Sequence, residues 1–366
     1  MKAATERLRH TPRMRSPHCP LPALSRARVA GAYARTAVDT ARELGVDPIA
    51  LGAACGLTGL AATPPEHLPV TTYLALLHGA AMLLGDPLFG LEVGRRMRLA
   101  TYTGYGLVLC TCPTLRAAAE QTRRFEGLAH DLGRSEIIER DGIAHYRWHS
   151  PWLDLPGGRQ LSESVMVGIR GFVTWLAGAA VPVIDVAFTH PSPPGAASLR
   201  RYQDALAAPV RFDAAVTEAR FPADVLDAPL PNADPSLFPT LIRTAEQRLA
   251  EREREAREPA IVAEVRAAIR ARLMIDAARL PEIAEQLGLS PRSLQRKLAE
   301  AGQSFSAVLD DTRRELAQAY LRDPKLSLTE IAFLLGFAEQ SGFTHAFRGW
   351  FGTTPAAWRA AQAESV

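Results

Sequence analysis

The chain has 366 residues, of which 47% are hydrophobic and 22% charged, with a formal net charge of +3. That length is a soft prior for two or three domains with sizeable cores, and any basic surface has to be placed locally because the bulk balance is close to neutral. Four irregularly spaced cysteines, Cys19, Cys55, Cys110 and Cys112, lack the paired spacing with histidines that holds zinc, so no metal and no cofactor is expected.

Residues 1–26 are basic and proline-containing without an apolar core, which predicts a disordered extension and neither a secretory signal nor an anchor. The region 27–238 then reads as one α+β domain. Helical spacing covers Ala27 to Leu44, Asp47 to Cys55, Thr71 to Leu84, Pro87 to Met97 and Thr114 to Leu132. Cys110 and Cys112 flank one threonine and read as small buried apolar residues in a reducing compartment, with a thiol sensor as the alternative.

Strand patterns follow. Ser135 to Arg140 and Ile143 to His149 bracket Asp141-Gly142, a strong signal for a tight hairpin turn. In the second run Ala144, Tyr146 and Trp148 alternate with His145, Arg147 and His149. Leu161 to Ala177 reads as a buried helix, Val183 to Thr189 as a strand and Ala197 to Leu206 as a helix, with short strands at Val210 to Phe212 and Glu218 to Phe221. The most apolar stretch, Val165 to Phe188, is broken by Arg170, Pro182 and Asp185, so it lacks the ~20 uninterrupted residues of a bilayer span. The expectation is a cytoplasmic protein with no membrane partner.

Residues 239–258 form a predicted linker helix. Leu241, Ala245 and Leu249 recur at four-residue spacing ahead of the charged run Glu251 to Glu255, an edge suited to pairing with a second chain. Pro259 marks the start of an all-α domain, 259–366, whose first helix is Ile261 to Leu273. Two helix-turn-helix patterns follow. In the first, Leu280, Ile283, Ala284, Leu287, Leu294 and Leu298 make a buried stripe, interrupted by Gly288 as helix terminator, Ser290 as cap and Pro291 in the first turn. The second repeats this with Leu328, Ile331, Ala332, Leu335, Gly336, Phe337, Phe343 and Phe347, with Ser327 or Thr329 as cap. Between them Phe305 to Leu321, with Phe305, Val308, Leu309, Thr312, Leu316, Ala319 and Tyr320 on one side, predicts a linker helix of ~25 Å. Such a spacer suits two reading helices one DNA turn, ~34 Å, apart.

The apolar stripe leaves Arg292, Ser293, Gln295, Arg296 and Lys297 toward solvent in the first unit, three cations in six residues. Arginine matches guanine bidentately and glutamine matches adenine, so Arg292, Gln295 and Arg296 read as base contacts and Lys297 as a phosphate contact. The second unit offers Gln340, Ser341, Thr344, His345 and Arg348. Gly342 and Gly349 lower helix propensity there by roughly 1 kcal/mol each, which predicts a softer second helix. Ala260 to Val366 holds 13 Lys and Arg against 12 Asp and Glu, a balance of +1, so the positive charge is local to the first reading helix.

The segment Leu280 to Arg359 resembles the DNA-binding domain of the AraC/XylS family of bacterial transcription regulators. Ile331 to Phe337, Phe343, Phe347 to Pro355 and Trp358-Arg359 carry the likeness. Val186 to Pro191, Tyr202, Pro209 to Phe212, Leu226, Pro229 to Pro231 and Ala233 to Pro235 resemble the arabinose-binding-like effector domain that accompanies it. The resemblance implies a regulator of transcription that binds double-stranded DNA, responds to a small molecule and dimerises, and it leans toward an activator that touches RNA polymerase. Aromatic and polar groups in apolar surroundings, Tyr102, Tyr105, Tyr146, Trp148 and Trp175, with His130, His149 and Trp152, are the candidate effector contacts. Alternative readings are an enzyme fused to this DNA-binding unit, for which no GxSxG, HExxH or GxxxxGK[ST] pattern is present, and a regulator whose N-terminal domain only oligomerises.

Overall fold

A computed structural model of the chain describes residues 26–56, 65–231, 233–273 and 278–363. Cys19 and, apart from Arg26, the expected extension 1–26 lie outside them. The chain folds as two compact units, Met1–Arg252 and Glu253–Val366.

The first unit mixes helices with sheet. A short antiparallel pair, β1 (Arg28–Ala30) and β2 (His67–Pro69), precedes α1 (Gly31–Glu43). The helix expected from Ala27 therefore starts three residues after β1 begins. Gly31 fixes the changeover: its amide donates to Glu66 O at 2.7 Å, and a Cβ there would sit 2.0 Å from Pro65 O. Next come α2 (Pro48–Ala54), α3 (Val70–Leu84), α4 (Phe89–Arg96), a 3-10 turn at Leu99–Tyr102, α5 (Thr103–Cys110) and α6 (Leu115–Ala129). Asp47 and Thr114 cap α2 and α6 by accepting backbone amides. No expectation covered α5, whose apolar residues lack a polar face to set a period.

Five strands form the main sheet: β3 (Arg134–Arg140), β4 (Ile143–His149), β5 (Asp185–Ala187), β6 (Val210–Arg211) and β7 (Thr217–Pro222), in the order β3-β4-β7-β5-β6. All neighbours are antiparallel except β5 and β6, which run parallel across the connection through α8 (Ala196–Leu206). Asp141 and Gly142 turn the β3–β4 hairpin with φ of +52° and +75°, the two positive angles of a type I′ turn. Along β4 the buried residues are Ala144, Tyr146 and Trp148, so the alternation read from sequence is the alternation of faces. Helix α7 (Gly158–Ala177) packs tightly on α4, where a Cβ on Gly90 would come within 2.3 Å of Gln160 O.

Helix α9 (Phe238–Arg257) is anchored to this first unit. Ala245 is buried in its core, and Leu241, Ile242 and Leu249 pack against the same core. Of the stripe expected to pair with a second chain, Ala245 is thus buried within the chain itself, and Leu241 and Leu249 are partly so. The helix is also tied by Asp131, which is fully buried and accepts from Arg252 at 2.5 Å, Arg134 at 3.0 Å and the Arg28 amide at 3.1 Å.

The second unit is helical: α10 (Ala260–Arg272), α11 (Leu280–Gln286), α12 (Pro291–Glu300), α13 (Phe305–Leu321), α14 (Leu328–Leu334), α15 (Gln340–Phe351) and α16 (Pro355–Ala363). It contains two apolar cores. One gathers Val265, Ile269, Ile283, Ala284, Leu294, Leu298 and Val308; the other gathers Ala317, Leu321, Ile331, Ala332, Leu335, Phe343 and Phe347. Helix α13 serves both, with Leu316 packed against each. Its buried residues are Val308, Thr312, Ala317 and Leu321, whereas Ala319 is exposed. The single stripe expected along α13 is really two, because its two halves face different cores.

Candidate functional site

In the first helix-turn-helix, Gly288 adopts φ +65° and the Leu289 amide returns to Ala284 O at 2.8 Å, closing α11. Ser290 then caps α12 by accepting the Ser293 amide at 3.2 Å, with Pro291 in the first turn. Leu294 and Leu298 point fully inward, so the 3.6-residue period leaves Arg292, Gln295, Arg296 and Lys297 exposed on the outer face. Ser293 is half-buried, and its hydroxyl accepts from Ser290 Oγ at 2.9 Å, which engages it in the cap. Arg296 lies 3.6 Å from Glu300 with both side chains mostly in solvent, a pairing that holds it weakly.

The second helix-turn-helix starts with a full capping box: the Glu330 amide donates to Ser327 Oγ at 3.2 Å, and the Ser327 amide donates to Glu330 Oε2 at 2.8 Å. These bonds hold the Glu330 carboxyl below its ordinary pKa. Gly336 closes α14 at φ +71°. Helix α15 follows Glu339, which makes no side-chain cap bond, so α15 lacks the support Ser290 gives α12. Gln340, Ser341, His345 and Arg348 are exposed and Thr344 is half-buried. Gln340 Oε1 accepts from Thr329 Oγ1 at 2.7 Å, which ties its side chain to the start of α14. A Cβ on Gly349 would meet open space, and one on Gly342 would reach only ordinary contact with Phe337 at 3.6 Å.

Arg313, on the polar side of α13, escaped sequence reading. Its guanidinium donates to Leu335 O at 2.9 Å and Gly336 O at 3.1 Å and lies over the Phe337 ring at 4.6 Å. It therefore clamps the turn between α14 and α15. No periodicity marks a cation that serves two carbonyls of a distant turn.

In the first unit a cavity of about 160 Å³ lies between the sheet and helices α5, α6 and α7. Tyr102, Tyr105, Tyr146, Trp148 and His130 all line it. Trp175 does not: it is 55% exposed and stacks on Phe172 at 5.7 Å from the outer side. Trp152 is buried elsewhere, donating from Nε1 to Asp131 O at 2.9 Å, and His149 is exposed against Glu136. The polar wall centres on Glu126, which is buried and accepts the Ser135 amide at 2.9 Å and the Ser135 hydroxyl at 2.7 Å. Tyr146 adds its hydroxyl to Ser135 at 2.8 Å. Burial raises the Glu126 carboxyl above its ordinary pKa, against the pull of Ser135 and Arg134. Burial pushes His130 down to about 3, so its ring is neutral at ordinary pH, and among the described residues its Nδ1 has no partner. Glu126 was not foreseen, although an acid on the apolar stripe of α6 is itself a signal. Cys112 is buried and its thiol is pushed up to about 11 by that burial, the opposite of a reactive thiolate.

Residues 45–230 match the family model described as the arabinose-binding domain of AraC transcription regulator, and residues 283–361 match a helix-turn-helix domain. The ornithine utilization regulator of Pseudomonas aeruginosa is 30% identical over 337 residues, covering 90% of this chain and 96% of that protein. The transcriptional regulator VirS of Mycobacterium tuberculosis is 28% identical over 334 residues, covering 88% and 93%. The crystal structure of the transcriptional regulator CdpR from Pseudomonas aeruginosa covers 90% of this chain at 21% identity, with a TM-score of 0.42.

Proposed function

Because the chain belongs to the AraC/XylS family of transcription regulators, with an arabinose-binding-like domain ahead of its helix-turn-helix region, we propose that it is an effector-controlled activator whose α12 and α15 read two successive major grooves. The observation that carries the reading is the outer face of α12. There Arg292, Gln295, Arg296 and Lys297 stand exposed on a helix capped by Ser290 and held by Leu294 and Leu298.

In this reading Arg292 and Arg296 donate bidentately to guanine edges and Gln295 pairs with adenine, while Lys297 neutralises a phosphate. Gln340 and His345 are the base contacts of α15, with Ser341, Thr344 and Arg348 as anchors. The cavity of the first unit holds the small molecule. Occupancy shifts the population of DNA-competent molecules to the extent that the ligand binds the two arrangements unequally. The route we assign runs through His130 on the cavity wall to its neighbour Asp131, and from there to Arg252 on α9. As an activator it acts in the cytoplasm and touches RNA polymerase. A homodimer through α9 would have only the exposed parts of Leu241 and Leu249 to use, because Ala245 is buried within the chain.

The test is a titration against sequences selected from random DNA. Arg296→Ala weakens the selected site by roughly 1 to 3 kcal/mol and relaxes preference at one base pair. Lys297→Ala weakens all sequences alike and lowers the salt slope by about one. An Arg296→Ala protein that keeps full preference at every position refutes the assignment.

A further inference from the structure

We propose that the cavity takes a compact apolar carboxylate, an aromatic or branched aliphatic acid, with its charged end held by Arg170 and Arg123. The proposal rests on the effector reading above and narrows it to a ligand class.

Size comes first. A cavity of about 160 Å³ is close to the ~150 Å³ known to admit a benzene ring. Its walls are mainly hydrocarbon and aromatic, with Leu109, Ile137, Val165 and Phe172 among them. A sugar would bring several hydroxyls to a wall that is mainly hydrocarbon, where Glu126, Ser135 and Tyr146 already bond one another.

Charge decides the rest. Arg123 on α6 and Arg170 on α7 both line the cavity and both are half-buried. Among the described residues neither forms an ion pair, whereas Arg116, Arg134, Arg159 and Arg220 of the same unit each do. Among the described residues the one carboxylate on the lining is Glu126; each of its oxygens accepts from Ser135, and Arg123 acts on it through space without forming an ion pair. Arg170 donates from Nε to Leu206 O and from Nη1 to Thr174 Oγ1, each at 3.1 Å, and these bonds fix the guanidinium while leaving Nη2 open. Burial opposes its charge, and no anion among the described residues offsets that. A guanidinium held this way is preorganised for a carboxylate. His130, 7% exposed with an unpartnered Nδ1, supplies one further polar contact on the lining.

The experiment titrates the full-length chain with phenylacetate, its uncharged isostere phenylacetamide, and L-arabinose, using ligand-observed saturation-transfer NMR. Phenylacetate is expected to bind more tightly than phenylacetamide. Arg170→Met should weaken phenylacetate roughly tenfold while leaving phenylacetamide within about twofold, which also shows that the cavity survives the substitution. Arg123→Met provides the second charge-removing variant, and Ala118→Phe fills the cavity and abolishes both. Equal binding of acid and amide, untouched by either arginine variant, overturns the charge assignment. Binding of L-arabinose that Ala118→Phe abolishes overturns the ligand class but leaves the effector reading standing. Silence from all three probes sinks both.

Discussion

Glu163 on α7 should make the first unit lose stability as pH rises. It is fully buried; its Oε1 accepts from Arg159 Nε at 2.9 Å and from the Tyr202 hydroxyl, while Oε2 has no partner among the described residues. Burial lifts its pKa from 4.5 to about 7, with nearby Asp86 adding to the rise and Tyr202 and Arg159 opposing it. The folded chain thus holds a proton that the unfolded chain releases near its ordinary value. That contribution is fully present below about 4.5 and is lost as pH climbs through about 7. At 1.36 kcal/mol per pKa unit the difference amounts to about 3 kcal/mol. Glu163→Gln keeps the shape and cannot ionise, so its stability relative to wild type should grow by up to that amount between pH 5 and 8. Hydrogen exchange of α7 peptides in the full-length chain measures this, because comparing the two proteins at each pH cancels the intrinsic exchange rate. A difference that stays constant with pH, or that moves in favour of wild type as pH rises, refutes the reasoning.

Replacing Gly342 and Gly349 with alanine should stabilise α15 by about 0.5 to 1 kcal/mol each, because neither position needs glycine for space. The thermal transition of the second unit, followed by Trp350 and Trp358 fluorescence, should rise; a fall would show that these positions carry a constraint beyond helix propensity. Arg313→Met removes both bonds to the α14–α15 turn and should cost about 2 kcal/mol, seen as faster exchange in α14 and α15 with α11 and α12 unchanged. Uniform loss across both halves would contradict the clamp. Asp131→Asn leaves Arg134 and Arg252 without their buried carboxylate and should cost about 3 kcal/mol in urea unfolding, with α9 exchanging faster. Unchanged protection of α9 would remove Asp131 from the coupling route.

The second unit was the more legible because three local signals coincide there. Apolar spacing, a left-handed glycine and a serine cap all point to the same breaks at Gly288 and Ser290, and at Gly336 and Ser327. In the first unit those signals separate. Arg28–Ala30 looks helical in isolation and becomes strand only through its pairing with His67–Pro69. The segment of α5 is apolar without a polar face, so no period announces it. Among the aromatics, Tyr102, Tyr105, Tyr146 and Trp148 share one cavity, but Trp175 sits at the end of α7, where its turn faces outward. Arg123, Glu126 and Arg170 were the missed members of the wall. Each is a charge set within an apolar stretch, and only the fold reveals which of them the protein itself neutralises.

Among the described residues the two cores that share α13 are small, eleven buried residues in one and seven in the other. Stability in such a pair is not uniform, and the half in which α15 has no side-chain cap and carries two glycines should open at a lower free energy than the whole. Operator recognition would then include completing the order of α14 and α15, with a heat-capacity drop larger than rigid docking produces. Warming should release the downstream groove first, shortening the protected DNA by about one helical turn while α12 stays engaged.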